Sequence, residues 1–263
     1  MSVEDDQTVP KTSEARGLDP WARLRRSTAA RIGLGRAGDT MPLRPVLDFQ
    51  LAHAEARDAV HAALDVEALA TALAPQQTIT VRSAVPDRSL YLRRPDLGRS
   101  LDPASRAPLE AAAGPYDCVF VIADGLSAVA VQSHAVPLLA RCLPRLKMLS
   151  IAPIVIATQA RVALGDAVGE SLEARLCVVL IGERPGLSVA DSLGAYITFD
   201  PKTGRRDSER NCISNIHTKG GLDYEPAAQK LCWLIEQALS RGVTGIALKD
   251  DHGAPLLPGQ PTA

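Results

Sequence analysis

The sequence predicts an α/β protein: a doubly wound, mostly parallel sheet, Rossmann-like or flavodoxin-like in plan, preceded by an N-terminal helical segment. Three observations predict it. Four apolar runs, at 118–122, 154–156, 177–181 and 195–199, are continuous rather than alternating, which suits strands buried on both faces. Helix-like segments at 126–149 and 164–172 separate the first three, and strand–helix–strand repetition is the grammar of a parallel sheet wrapped by helices. Before residue 75 the pattern reads as helix and loop, with no obvious strand.

Taken in order, residues 1–18 mix Glu4, Asp5, Asp6 and Lys11 with small polar residues and predict a disordered tail. This start has neither the apolar stretch nor the small-residue cleavage site of a signal peptide. Asp19-Pro20 then gives a helix start, Asp as N-cap and Pro at the first helical position, leading into Trp21, Leu24, Thr28 and Ile32, with Gly33 and Gly35 as the stop. A second helix fits 42 to about 63, with Val46, Phe49, His53, Ala56 and Val60 on one face, and a third fits 66–73. A short strand fits 78–81, and 90–101 around Pro95 reads as loop and helix. After the fourth apolar run come a polar segment, 211–221, and a closing helix from about 225 to 239. The expected organisation is a tail at 1–18, a helical segment at 19–75 and an α/β domain at 76–263.

Composition narrows the function. A length of 263 residues allows one sizeable domain with an appendage, or two small domains. The net charge of −1 lacks the long-range field that nucleic acid or an anionic membrane usually needs, and nine aromatics leave little for base stacking. No apolar stretch approaches the length of a membrane span. Arginine makes up 23 of the 29 basic residues, a bias of usage rather than a phosphate motif. The five cysteines lie at least 20 residues apart, so no C-x-x-C pair forms a metal or redox site, and reduced thiols of a cytoplasmic protein are expected.

In an open parallel sheet the ligand crevice lies beyond the carboxyl ends of the strands, here the loops at 123–127, 159–162 and 182–186. Three look-alike motifs fail on context. Gly33-Leu34-Gly35-Arg36-Ala37-Gly38 matches G-x-G-x-x-G but follows a helix, whereas a dinucleotide fingerprint follows a strand. Read through Asp39-Thr40, the same stretch puts a carboxylate where a P-loop needs lysine. Asn215-Ile216-His217-Thr218-Lys219-Gly220 approaches the D-x-H-x-x-G by which some corrinoid proteins give a histidine to cobalt, but Asn215 cannot supply the carboxylate that makes the ligating imidazole more basic. His217 is therefore expected to be an ordinary hydrogen-bonded loop histidine, with no metal ligand and no catalytic triad in the chain.

Five ordered blocks carry a more specific signal. They are Leu24-Arg25-Arg26-Ser27-Thr28 with Gly35-Arg36-Ala37-Gly38; Leu90-Tyr91-Leu92 with Arg94-Pro95-Asp96; Asp124-Gly125-Leu126-Ser127; Gly182-Glu183-Arg184-Pro185-Gly186-Leu187; and Cys212-Ile213-Ser214-Asn215-Ile216-His217. From about residue 21 to 248 the chain resembles the small (light) subunit of ethanolamine ammonia-lyase. The tail before Asp19 is short for that family. The resemblance implies an adenosylcobalamin-dependent carbon–nitrogen lyase that converts ethanolamine to acetaldehyde and ammonia and is active only with a large subunit, whose barrel holds the substrate.

It implies a hetero-oligomer with several copies of each chain, in the cytoplasm or enclosed in a bacterial microcompartment, with dimethylbenzimidazole retained on cobalt. The helical segment, with Arg23, Arg25, Arg26, Arg31 and Arg36, would serve docking. The family's cobalamin contacts fall on Val162, Glu183 and Cys212. Val162 offers apolar contact, Glu183 an acceptor for the amides fringing the corrin, and Cys212 a thiol or backbone at the ring edge. Each has an ordinary structural alternative: Val162 a core residue, Glu183 an ion pair with Arg184, Cys212 a small buried hydrophobe. The hard step is cofactor chemistry, so no catalytic acid or base is expected in this chain. The alternative reading is a non-catalytic corrinoid-binding or scaffold module.

Overall fold

The computed structural model describes residues 19–28 and 30–251, so the tail expected at 1–18 lies outside the described residues. The chain forms two compact units, one ending at Gln50 and one beginning at Leu51.

In the first unit, helix α1 (Ala22–Ser27) is a turn and a half, shorter than the spacing of Trp21, Leu24, Thr28 and Ile32 predicts. Asp19 does not cap it; its carboxylate accepts from the Trp21 backbone N–H and pairs with Arg25, whose guanidinium also donates to the Gly33 carbonyl. That reach folds the chain back after Thr28, and the turn needs glycine. Gly33 has φ of +56°, and a Cβ there would lie 2.2 Å from the Trp21 ring. Helix α2 (Leu43–His61) starts in this unit, and its C-terminal part, with the buried Ala52 and Ala59, belongs to the second.

The second unit is built on a six-stranded sheet. Its elements are α3 (Val66–Leu73), β1 (Thr78–Arg82), α4 (Arg88–Arg93), α5 (Arg106–Glu110), β2 (Cys118–Ala123), α6 (Ala128–Cys142), β3 (Ile154–Thr158), α7 (Leu164–Ser171), β4 (Leu176–Gly182), β5 (Leu193–Phe199), β6 (Asn211–Ile216) and α8 (Tyr224–Arg241). The strand order is β1-β3-β2-β4-β5-β6, parallel from β1 to β4 and antiparallel from β4 to β6. Every residue of β2 and of β4 is buried, as continuous apolar runs require.

Alternate residues of these strands pack on opposite faces. Phe120, Ile122, Val178 and Leu180 meet α3, α6 and α8 on one side, while Val119, Val121, Cys177 and Val179 meet α5 and α7 on the other. Helices on both faces make the sheet doubly wound, as the sequence predicts.

The sheet's far edge departs from the parallel pattern. A parallel partner for β4 would need a crossover of a dozen or more residues, usually with a helix. The 183–192 connection has no helix and returns directly, so β5 runs antiparallel. The polar segment after it is a strand, β6, rather than a loop; only Ile213 and Ile216 of its six residues are buried. Side-chain caps fix the helix starts near the sheet's carboxyl edge: Asp87 accepts from Leu90 N and Ser127 from Ala130 N.

Candidate functional site

The helix after β2 packs on one face of the sheet and the helix after β3 on the other, so the two loops part between adjacent strands. This is where an open α/β sheet forms its ligand crevice. Asp124, the residue after β2, ties the two sides together. It is 4% exposed, with Oδ2 accepting from Gln159 N at 2.8 Å and Oδ1 from Ala160 N at 2.9 Å. Burial pushes its carboxyl above the ordinary value, against the pull of those N–H groups and of Arg88, whose Nη1 lies 3.6 Å away.

Two glycines let the turn after β2 lie directly on the end of β4. A Cβ at Gly182 would sit 2.0 Å from Ser127 O, and one at Gly125, where φ is +57°, would sit 2.3 Å from Gly182 O. Nearby, Tyr91 is fully buried and donates from its hydroxyl to Ala160 O at 3.0 Å. Burial raises that hydroxyl above its ordinary value, which keeps it a neutral donor. The guanidinium carbons of Arg88 and Arg161 lie 4.5 and 4.2 Å from the centre of its ring.

Over this base opens a cleft of about 420 Å³, bounded by Tyr91, Leu126, Arg161, Val162, Glu183, Arg184 and Tyr196. A second hollow of about 330 Å³ shares Arg161, Val162 and Tyr196 and extends to Pro95 and Arg99.

The structure brings two of the three expected contact residues to one cleft. Val162 lines both hollows, and its inner side packs on the core around α7. Glu183 lines the first, and it does not pair with Arg184. Its carboxylate instead accepts from the Ser192 and Ser214 hydroxyls and from Asn215 N at 3.1 Å. Three donors on a carboxylate that offers about four lone-pair positions leave one position open.

Cys212 borders neither hollow. It lies on β6, in register with Tyr196, which lines both. The residue is exposed, so it is not the buried hydrophobe of the ordinary alternative. Its sulfur is nonetheless partly desolvated against the sheet, which raises the thiol above its ordinary value and keeps it protonated. The other four cysteines are buried.

His217 is 2% exposed, with both ring nitrogens engaged: Nδ1 accepts from Lys219 N at 3.2 Å, and Nε2 lies 2.9 Å from Asn215 Oδ1. Asn215, at φ of +64°, thus gives the imidazole a neutral acceptor in place of a carboxylate. Among the described residues no group of three or more histidine, cysteine or acidic side chains could hold a metal.

Sequence reasoning did not single out Tyr91, Arg161 and Tyr196 as site residues. Tyr91 lies inside one of the resemblance blocks, and Arg161 is next to Val162 in a predicted strand-end loop, which was the available signal.

A family model described as ethanolamine ammonia-lyase light chain matches residues 18–249. Among curated relatives, the ethanolamine ammonia-lyase small subunit of Bradyrhizobium diazoefficiens is 53% identical over 238 residues, covering 88% of this chain and 91% of the relative. The protein of that name from Ralstonia nicotianae is 49% identical over 265 residues, covering 98% and 96%. The one from Rhodopseudomonas palustris is 54% identical over 233 residues, covering 87% and 89%.

Proposed function

Because this chain belongs to the ethanolamine ammonia-lyase light-chain family, we propose that it is the small subunit of an adenosylcobalamin-dependent lyase and completes the cofactor site at the interface with a large subunit. The complex converts ethanolamine to acetaldehyde and ammonia. The observation that carries this reading is the meeting of Val162 and Glu183 on one cleft beyond the carboxyl ends of the parallel strands.

The residues present fit a corrinoid. The cleft offers apolar surface at Tyr196 and Val162, one open acceptor position on Glu183, and a buried Arg161 Nε that has no partner among the described residues. Hollows of this size suit a drug-sized molecule. Cobalamin is larger, so a second wall is needed, which supports a site shared with another chain.

When bound, the cofactor would supply the radical that initiates cleavage of the carbon–nitrogen bond. This chain's residues would bind, orient and shield. Val162 gives apolar contact, Glu183 accepts from an amide N–H of the corrin fringe while Ser192, Ser214 and Asn215 hold it in place, and Cys212 meets the ring edge. The buried His217 has both nitrogens occupied, which supports a cofactor that keeps its own dimethylbenzimidazole on cobalt.

The helical segment 19–75 serves docking to the large subunit. Trp21, Leu24, Met41, Leu43 and Leu47 are exposed apolar side chains within the first compact unit, more than an isolated surface needs. The assembly is a cytoplasmic hetero-oligomer with several copies of each chain, compatible with enclosure in a microcompartment. No helix among the described residues is long and apolar enough to cross a membrane.

Mixing the purified chains tests the assignment. With adenosylcobalamin and ethanolamine, this chain alone should release no ammonia and should bind the cofactor weakly; adding the large subunit should produce turnover. Ammonia release by this chain alone would contradict the proposal. Cofactor binding by the mixed chains without ammonia release would favour the corrinoid-binding or scaffold module.

A further inference from the structure

Arg161 is held in place as an anion-binding residue would be, and among the described residues no anion meets it. Its backbone N–H donates to Gly98 O at 2.8 Å, and its stem lies against Gly98, where a Cβ would come within 2.9 Å of Arg161 Cγ. The guanidinium stacks 4.2 Å from the centre of the buried Tyr91 ring. Among the described residues the guanidinium makes one hydrogen bond, Nη2 to Tyr91 O at 3.4 Å, and its Nε is buried without a partner. Arg88, over the same ring, is different: it faces the Asp124 carboxylate.

Among the described residues no carboxylate pairs with Arg161, nor with Arg99 or Arg184 on the rims of the two hollows that share Arg161. The acids of these hollows are otherwise engaged. Glu183 is taken by Ser192, Ser214 and Asn215, and Asp207 lies 3.6 Å from Arg210 Nε. A pre-positioned guanidinium whose stem is packed loses little freedom on binding, and its planar fork matches two oxygens of a phosphate.

We propose that Arg161, with Arg99 and Arg184 at the rims, forms a phosphate-binding subsite that takes the phosphodiester of the cobalamin nucleotide loop. The inference rests on the cofactor reading above and adds to it the end of the cofactor that this cleft recognises. Val162 and Glu183, beside the subsite, then face the neighbouring edge of the corrin.

Two ligands that differ only in the phosphate isolate the effect: adenosylcobinamide phosphate and adenosylcobinamide, each titrated by competition with adenosylcobalamin on the assembled two-subunit complex. The wild-type complex should prefer the phosphate-bearing ligand by about ten- to 150-fold, the range of a hydrogen bond to a charged group. Arg161→Met should lose most of that preference while keeping its affinity for adenosylcobinamide, and Arg161→Lys, which keeps charge without the fork, should fall between. Arg184→Met, a change at an exposed side chain that leaves packing intact, should lose part of the preference.

Equal loss of both ligands in Arg161→Met, with Arg184→Met unchanged, would make Arg161 a structural residue and overturn the subsite. A wild-type complex that binds adenosylcobalamin without any phosphate preference would overturn the subsite and leave the cofactor reading standing. A wild-type complex that binds no adenosylcobalamin would overturn both.

Discussion

Arg210→Met should destabilise the folded chain by about 3–5 kcal/mol, the cost of leaving one member of a buried ion pair without its partner. Arg210 and Asp166 each have side chains 2% exposed and meet in a two-pronged contact, Nη1–Oδ1 at 2.6 Å and Nη2–Oδ2 at 2.7 Å. Thr198 Oγ1 accepts from the same Nη1 at 2.8 Å, and the Arg205 carbonyl from Nη2 at 3.0 Å. The cluster ties α7, packed on the parallel strands, to β5 and to the entry of β6. Methionine fills the space of the stem but leaves the Asp166 carboxylate, 2% exposed, without its ion-pair partner.

The double variant Arg210→Met, Asp166→Leu removes both charges and should regain most of the loss, since replacing an entire buried pair by apolar residues is often close to neutral. Denaturant unfolding of the single and double variants measures this. A double variant no more stable than Arg210→Met would show that packing, not the stranded charge, sets the cost. The effect reaches the site, because β6 carries Cys212 and the Ser214 and Asn215 donors that hold Glu183.

Asp124→Ala should cost about 2–4 kcal/mol, by leaving the Gln159 and Ala160 N–H groups without their acceptor at a buried position. Asp124→Asn keeps one acceptor oxygen and should cost about half as much. The transition midpoint in urea should fall in that order while its slope stays constant, the mark of lost stability rather than altered compactness. Arg88 and the loop bearing Arg161 and Val162 lose a common anchor, so cofactor affinity of the assembled complex should fall with stability. A midpoint unchanged in Asp124→Ala would mean that this link between the β2 and β3 ends carries no load.

The same residues explain what the sequence discloses and what it hides. β2, β3 and β4 are legible because strands covered by helices on both faces must be apolar at every position, as Cys118–Ala123 is. β6 is not. An edge strand buries one face at most, and in Asn211–Ile216 the ladder to β5 also shifts register between Leu193 and Ala195, so Ile213 and Ile216 fall out of strict alternation and the segment resembles a polar loop. The first helix is legible as a period but not as a length, because Arg25 reaching Gly33 is a tertiary contact that turns the chain after Thr28.

At the site, Val162 and Glu183 are reachable from topology, since both lie just past strand ends. The pairing of Arg161 with Tyr91 is not: the two come from different strand-end connections and meet only in the folded sheet. The partners of Glu183 were also hidden. Sequence proximity suggests Arg184, whereas Ser192 and Ser214 reach it through the β4–β5–β6 turns.

The central claim, that this chain helps hold the cofactor at the carboxyl edge of its sheet, is tested most directly by titrating adenosylcobalamin into the assembled complex carrying Glu183→Ala, with thermal unfolding to establish that the variant is folded. Loss of the carboxylate should weaken cofactor binding about ten- to 150-fold, equivalent to about 1.5–3 kcal/mol, and Glu183→Gln, which retains an acceptor oxygen, should lose less. Ethanolamine affinity at saturating cofactor should hardly change, since in the proposed assembly the substrate is held by the other chain. Wild-type cofactor affinity in a folded Glu183→Ala complex would contradict the claim and leave Glu183 as the structural tie between β4, β5 and β6.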